Sequence, residues 1–137
     1  MKKLSVVIPA YNEAENIGRV IQGVKKYTRN IIVIDDGSKD ETPQIALQNG
    51  AKVYHHLINR GLGGALGTGI KAALSNKADI IVTIDADGQH DPREIPKLIK
   101  PIIEGKADIV IGSRFLTRQP MPLLRRAGIP FFNLITF

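Results

Sequence analysis

The chain has 137 residues, 43% of them hydrophobic, with 13 glycines, 8 prolines and no cysteine; that is enough for one compact domain with a core and too little for two. Without cysteine there is no disulfide scaffold, thiolate zinc site or thiol nucleophile, so carboxylates, hydroxyls, amides and basic groups must carry the chemistry. The net charge of +6 is unevenly placed: Arg114, Arg118, Arg125 and Arg126 stand beyond Asp108 with no acidic residue among them, which predicts an anionic partner near the C-terminus.

The chain opens Met1-Lys2-Lys3 ahead of an apolar run, Leu4 to Ile8, that meets Pro9 and then Asn12-Glu13 without a small-residue cleavage site; this reads as a first strand ended by the proline. A helix follows, with Ile17, Val20, Ile21 and Val24 at i, i+3, i+4, i+7 spacing and Asn12 with Glu15 as its cap and reciprocal partner. Ile31 to Ile34 is the second strand, and a short helix capped by Thr42, with Pro43 in its first turn, stops at Gly50. Val53-Tyr54 is a third strand. A third helix begins near Leu62 and is expected to bury Leu66, Ile70 and Leu74. Ile80 to Ile84 is the fourth strand, and Asp91-Pro92-Arg93-Glu94 opens a fourth helix that Pro101 should kink. Ile109 to Ile111 reads as a fifth strand. From 127 to 137 the apolar residues are interrupted by Gly128, Pro130 and Asn133, well short of the roughly 18 to 20 residues of a bilayer span.

Strands that are continuously apolar and alternate with helices predict an α/β fold: three layers, α/β/α, around a mostly parallel sheet covered on both faces. Ligands on such sheets bind at the carboxyl ends of the strands. The expected division is a core over 1–114 and a basic, apolar tail over 115–137.

After the first strand, Pro9-Ala10-Tyr11-Asn12-Glu13 fits either a turn with a helix cap or a base-binding pocket, with Tyr11 against a base or ribose and Glu13 accepting hydrogen bonds. After the second, Asp35-Asp36-Gly37-Ser38 sets two carboxylates at a tight turn, placed for the N–H groups of a base. The run Gly61-Leu62-Gly63-Gly64-Ala65-Leu66-Gly67-Thr68-Gly69 has Leu66 where a dinucleotide loop needs glycine, and Ile70 where a phosphate loop needs lysine. Small residues packing a helix on the sheet account for it at least as well. The sharpest signal is Asp85-Ala86-Asp87-Gly88-Gln89-His90 at the end of the fourth strand. Alternation in an extended segment puts both carboxylates on one side, where two charges about 4 Å apart repel by about 4 kcal/mol at an effective dielectric of 20. A divalent cation reverses that term, and oxygen ligands favour magnesium or manganese.

Two other metal-carboxylate chemistries fit poorly. A dehalogenase-type phosphatase carries its Asp-x-Asp near the chain start, with Thr or Val where Gln89 stands; a sugar-nucleotide nucleotidyltransferase carries a glycine-rich basic signature where Pro9 to Glu13 stands. Val7-Ile8-Pro9-Ala10-Tyr11-Asn12-Glu13, Val33-Ile34-Asp35-Asp36-Gly37-Ser38, Asn59-Arg60-Gly61-Leu62-Gly63, Asp85-Ala86-Asp87-Gly88-Gln89 and Gly112-Ser113-Arg114, in that order, resemble the family 2 glycosyltransferases of GT-A (nucleotide-diphospho-sugar transferase-like) fold. The nearest likeness is to the polyprenyl- or dolichol-phosphate mannose and glucose synthases.

That resemblance implies an inverting transfer of sugar from a GDP- or UDP-linked donor to a polyprenyl phosphate at a membrane surface. It implies nucleotide binding by Pro9, Tyr11, Glu13, Asp35, Asp36 and Asp85, and Mg2+ or Mn2+ at Asp85, Asp87 and Gln89. Asp87 and Arg114 are the expected catalytic residues, with Ser113, Arg114 and Arg126 facing the acceptor phosphate. No residue after Asp108 could deprotonate a sugar hydroxyl, and a lipid phosphate requires no base, so the lipid acceptor is preferred to a saccharide. The expected location is the cytoplasmic membrane face, held peripherally. Nucleic acid is not expected, since the chain has no tryptophan and only 5% aromatic residues to stack on bases. Members of the family continue beyond Phe137, so the chain reads as a shortened form; the other reading is a nucleotide-binding or membrane-associated module without turnover, its apolar end favouring self-association as a homo-oligomer.

Overall fold

The computed structural model describes residues 2–112. Four strands, β1 (Leu4–Ala10), β2 (Ile31–Asp35), β3 (Lys52–His55) and β4 (Ile80–Thr83), form one parallel sheet in the order β3-β2-β1-β4. Val6, Val7 and Ile8 of β1 and Ile31 to Ile34 of β2 are all buried, as strands covered on both faces must be. The proline does not end β1, which runs through Pro9 to Ala10. Val6 N–H and Ala10 C=O bond on the β2 side, whereas Val7 C=O accepts from Ile84 N–H on the other. By that alternation Pro9 faces the β4 side, beyond the last pair, Val7 with Thr83, so no ladder bond needs its missing N–H.

Helix α1 (Ala14–Val24) buries Ile17, Val20, Ile21 and Val24, as their spacing predicts. It shares one face of the sheet with α2 (Thr42–Gln48) and α4 (Ile95–Ile103), around Val6, Ile8, Ile31, Val33, Ala46 and Ile95. The opposite face belongs to α3 (Gly61–Ser75), which covers Val7, Ile32 and Ile34. These are the three layers expected.

Several local expectations are corrected. Helix α3 buries Ala65, Gly69 and Ala73 and leaves Ile70 and Leu74 exposed. A Cβ on Gly69 would lie 2.2 Å from Val7 Cγ1 and 3.2 Å from Ile34 Cγ1, so the small stripe lets the helix approach closer than a leucine stripe would allow. Asn12 does not cap α1; it takes a left-handed φ of 53° two residues before the helix. Thr42 is the first residue of α2 rather than its cap. Gly50, with φ of 76°, stands two residues past the last residue of α2, where the helix is expected to stop, and Asp91 caps the 3-10 turn Pro92–Glu94 that leads into α4, its side chain accepting from Arg93 N–H. Helix α4 ends at Ile103, two residues beyond Pro101. Residues 109–111 form no strand: a groove of about 790 Å³ lies between them and β4, and without a hydrogen-bonded neighbour among the described residues Ile109 and Ile111 are 80% and 85% exposed.

Candidate functional site

The sheet has its switch point between β1 and β4: α1 and α2 return the chain on one face and α3 on the other. Loops leaving neighbouring strands toward opposite faces open a crevice at the carboxyl edge. The loops after β1 and β4 flank it, and they hold Tyr11 to Glu13 and Asp85 to Gln89.

The loop after β1 is tied to the loop after β2. Asn12 N–H donates to Ser38 Oγ at 2.9 Å, Lys39 N–H donates back to Asn12 Oδ1 at 2.8 Å, and Glu13 N–H donates to Thr42 Oγ1 at 2.8 Å. The cap sought in Asn12 is supplied from across by Asp40, which accepts from Ala14 N–H at 3.1 Å and from the N–H and hydroxyl of Thr42. Burial pushes the Asp40 pKa up, but these bonds to its charged form outweigh it and hold the carboxyl below its ordinary range. Tyr11 is 46% exposed at this edge. Glu13 is partly buried, with Oε2 accepting from Asn16 Nδ2 at 3.0 Å. Pro9 is buried within β1.

Asp35 and Asp36 meet two residues that the sequence reading passed over, His55 and His56. Asp35 is paired in register with His55 across the β2–β3 ladder, and its Oδ2 lies 2.5 Å from His55 Nδ1, while Oδ1 accepts a long 3.3 Å bond from Ser38 N–H. Asp36 Oδ1 takes both His56 Nδ1, at 2.7 Å, and Arg60 N–H, at 2.9 Å. His56 Nε2 in turn lies 3.0 Å from Thr68 Oγ1 on α3. Burial raises the Asp36 pKa, and the Arg60 and His56 interactions more than reverse it, leaving the carboxyl below its ordinary range. The available signal was the doublet itself: Asp-Asp ends β2 and His-His ends β3, two adjacent strands.

Beyond β4 the backbone stays in step with β1 through Ile84 N–H to Val7 C=O at 3.1 Å. Ala86 is buried between Asp85 and Asp87. Asp87 lies in a turn rather than in extended chain, so strand alternation is not what orients the pair. Asp87 Oδ1 accepts from Gln89 N–H at 2.9 Å. His90 Nδ1 accepts from Asp85 N–H at 3.2 Å; being an acceptor there, it forms no ion pair with Asp85 Oδ2 at 3.7 Å. Asp85, its side chain half-exposed, and Asp87, partly buried, are hard oxygen donors that suit Mg2+ or Mn2+. Among the described residues no cluster of three or more His, Cys, Asp or Glu forms a full coordination cage, so most ligands would come from elsewhere. Arg19 of α1 reaches this turn, and a Cβ on Gly88 would fall 2.7 Å from its Nη2; the glycine, at φ of 76°, makes that approach possible. Ser113, Arg114 and Arg126 lie outside the described residues, as does the boundary expected at 114.

Comparison with known proteins bears on this arrangement. A model of the family described as "Glycosyl transferase family 2" matches residues 5–135. An uncharacterized protein of Methanocaldococcus jannaschii is 48% identical, over 98% of this chain and 57% of its own length. The UDP-N-acetylglucosamine–dolichyl-phosphate N-acetylglucosaminyltransferase of Methanococcus voltae is 40% identical, over 99% of this chain and 62% of its own. The dolichol-phosphate mannosyltransferase of Pyrococcus furiosus is 38% identical, over 83% and 34%. The chain thus spans about half the length of the curated relatives it matches. Among solved structures, glucosyl-3-phosphoglycerate synthase of Mycobacterium tuberculosis, in complex with Mn2+, UDP-glucose and phosphoglyceric acid, superposes with a TM-score of 0.64 at 31% identity, covering 77% of this chain and 41% of that one.

Proposed function

The chain belongs to glycosyl transferase family 2, and on that premise we propose that the protein transfers a sugar from a nucleoside-diphosphate sugar to a polyprenyl or dolichyl phosphate, inverting the anomeric carbon with the help of Mg2+ or Mn2+. The observation that carries this reading is the juxtaposition of Asp85 and Asp87 with the interlocked loops after β1 and β2 at one carboxyl edge. The Asp35–His55 pair and the exposed Tyr11 ring offer polar and flat groups for a base. Glu13, with one oxygen occupied by Asn16, keeps the other for the donor.

In the reaction an oxygen of the acceptor phosphate attacks the anomeric carbon, and the bond from that carbon to the diphosphate breaks with its electron pair staying on the nucleotide. Asp85 and Asp87, with Gln89 beside them, would hold a divalent ion, which would supply Lewis-acid stabilisation of the charge on that leaving group. The protein's remaining task is positioning. Because the acceptor is already an anion, no general base is required. Ser113, Arg114 and Arg126 are assigned to the acceptor phosphate, since arginine forks match phosphate oxygens. A lipid acceptor brings the protein to a membrane surface; no helix among the described residues is long and apolar enough to cross one.

Titration of the purified protein with UDP and with GDP, each with Mn2+ and with a chelator, tests the donor site. Binding of one nucleotide should require the metal and fall at least about tenfold in Asp87→Ala, the loss expected for one charged ligand. A folded sample that binds neither nucleotide refutes the proposal at its first step.

A further inference from the structure

Asp35 is 0% exposed, whereas its partner His55 is 49% exposed. The carboxylate that the family likeness offers to the base is therefore sealed, and the imidazole bonded to it at 2.5 Å is what reaches solvent. We propose that His55, held by Asp35, is the residue that meets the base of the donor nucleotide, so that base recognition is relayed through a carboxylate–imidazole pair. The inference rests on the donor-site reading above and names the residue that performs it.

The chemistry follows from the two ring nitrogens. Nδ1 faces an acceptor-only carboxylate, so the proton sits on Nδ1 and is donated to Asp35 Oδ2. That bond fixes both the tautomer and the rotation of the ring, as a carboxylate does for a histidine that must present its other nitrogen. Nε2 is left with a lone pair and no hydrogen bond among the described residues. It matches a base that offers a ring N–H, as uracil and guanine both do. Asp35 is itself fixed: Oδ2 by the imidazole, Oδ1 by Ser38 N–H, and its backbone by the ladder, where Asp35 C=O accepts from His56 N–H at 2.9 Å.

The neighbouring pair makes the assignment specific. His56 has the same partner type but is buried, with both nitrogens engaged, by Asp36 and by Thr68. It braces α3 against the sheet and has nothing left to offer a ligand. One histidine of the doublet is structural; the other is presented.

Two substitutions separate contact from scaffolding. In His55→Asn the amide nitrogen falls close to the position of Nδ1 and keeps the bond to Asp35, but nothing replaces Nε2. In His55→Gln the longer side chain reaches the Nε2 position. Binding of UDP and GDP with Mn2+ is measured on the full-length protein and both variants, beside their thermal midpoints and the imidazole 15N shifts of the wild type. The expected result is a His55→Asn protein with an unchanged midpoint and about tenfold weaker nucleotide binding, partial recovery in His55→Gln, and a shift of the His55 Nε2 resonance when nucleotide is added. The resonance reads contact even if a variant unfolds. Wild-type affinity in a folded His55→Asn, or an Nε2 resonance unmoved at saturating nucleotide, overturns the relay and leaves the donor site standing. A wild type that binds neither nucleotide removes the donor site itself.

Discussion

Asp36 is nearly fully buried, and its Oδ1 serves two donors from the next loop, Arg60 N–H and His56 Nδ1. Removing it strands a buried imidazole, and Asp36→Ala should cost about 3 kcal/mol in denaturant unfolding, the range for breaking a buried pair. Its pKa also ties stability to pH. The folded value lies below the ordinary one, near 3.9 for an unfolded chain, so the unfolded state binds the proton more readily. The stabilisation is complete above that ordinary value and is lost as pH falls through the lowered folded value. Thermal midpoints taken from pH 5 down to pH 2 should fall more steeply for the wild type than for Asp36→Asn; parallel curves would remove the assignment. The sequence showed Asp35-Asp36 as a feature of interest, because carboxylates at a turn are conspicuous in any sequence. It did not show what they bind, because the partners stand twenty positions away and are found only from the β2–β3 register.

The strands and helices were readable where one pattern outweighed the rest. The branched runs of β1, β2 and β4 and the Ile17, Val20, Ile21, Val24 stripe appear as their spacing dictates. In α3 two stripes compete: Leu66, Ile70 and Leu74 against Ala65, Gly69 and Ala73, one position apart. Hydrophobicity favours the first, but distance of approach favours the second, and sequence does not carry distance. The contrast is testable within one helix. Gly69→Ala forces a methyl into Val7 and should destabilise by about 1–3 kcal/mol. Gly67→Ala, whose Cβ would meet nothing within 4 Å, should stabilise by about 0.5–1 kcal/mol, as alanine does against glycine inside a helix. Chemical denaturation of the two variants reads both signs, and a neutral Gly69→Ala would mean that helix and sheet can separate freely. Residues 109–111 show the converse error: a strand-like composition makes a strand only when an edge lies within bonding distance.

Across the whole molecule, every Asp and Glu lies within the first 108 residues, where Arg19, Arg29, Arg60 and Arg93 also stand, while the chain beyond Asp108 carries arginines alone. Acidic groups end β2 and follow β4 within the first 108 residues, and beyond Asp108 the only charges are Arg114, Arg118, Arg125 and Arg126. A reaction with an anionic donor and an anionic acceptor has reason to keep these apart, with carboxylates on a metal for one and arginines for the other. Arg114→Ala should therefore raise the KM for polyprenyl phosphate at least about tenfold while leaving nucleotide affinity near that of the wild type. Equal losses in both would place Arg114 at the donor instead.

The hydrogen bond from Ile84 N–H to Val7 C=O continues the β1–β4 ladder right up to the two loops of the site. Neighbouring strands sit about 4.8 Å apart, so the spacing between the donor-side loop and the Asp85–Asp87 turn is inherited from the sheet. Little conformational entropy then remains to be lost when a ligand bridges them. Affinity at this site is set largely at the moment the chain folds.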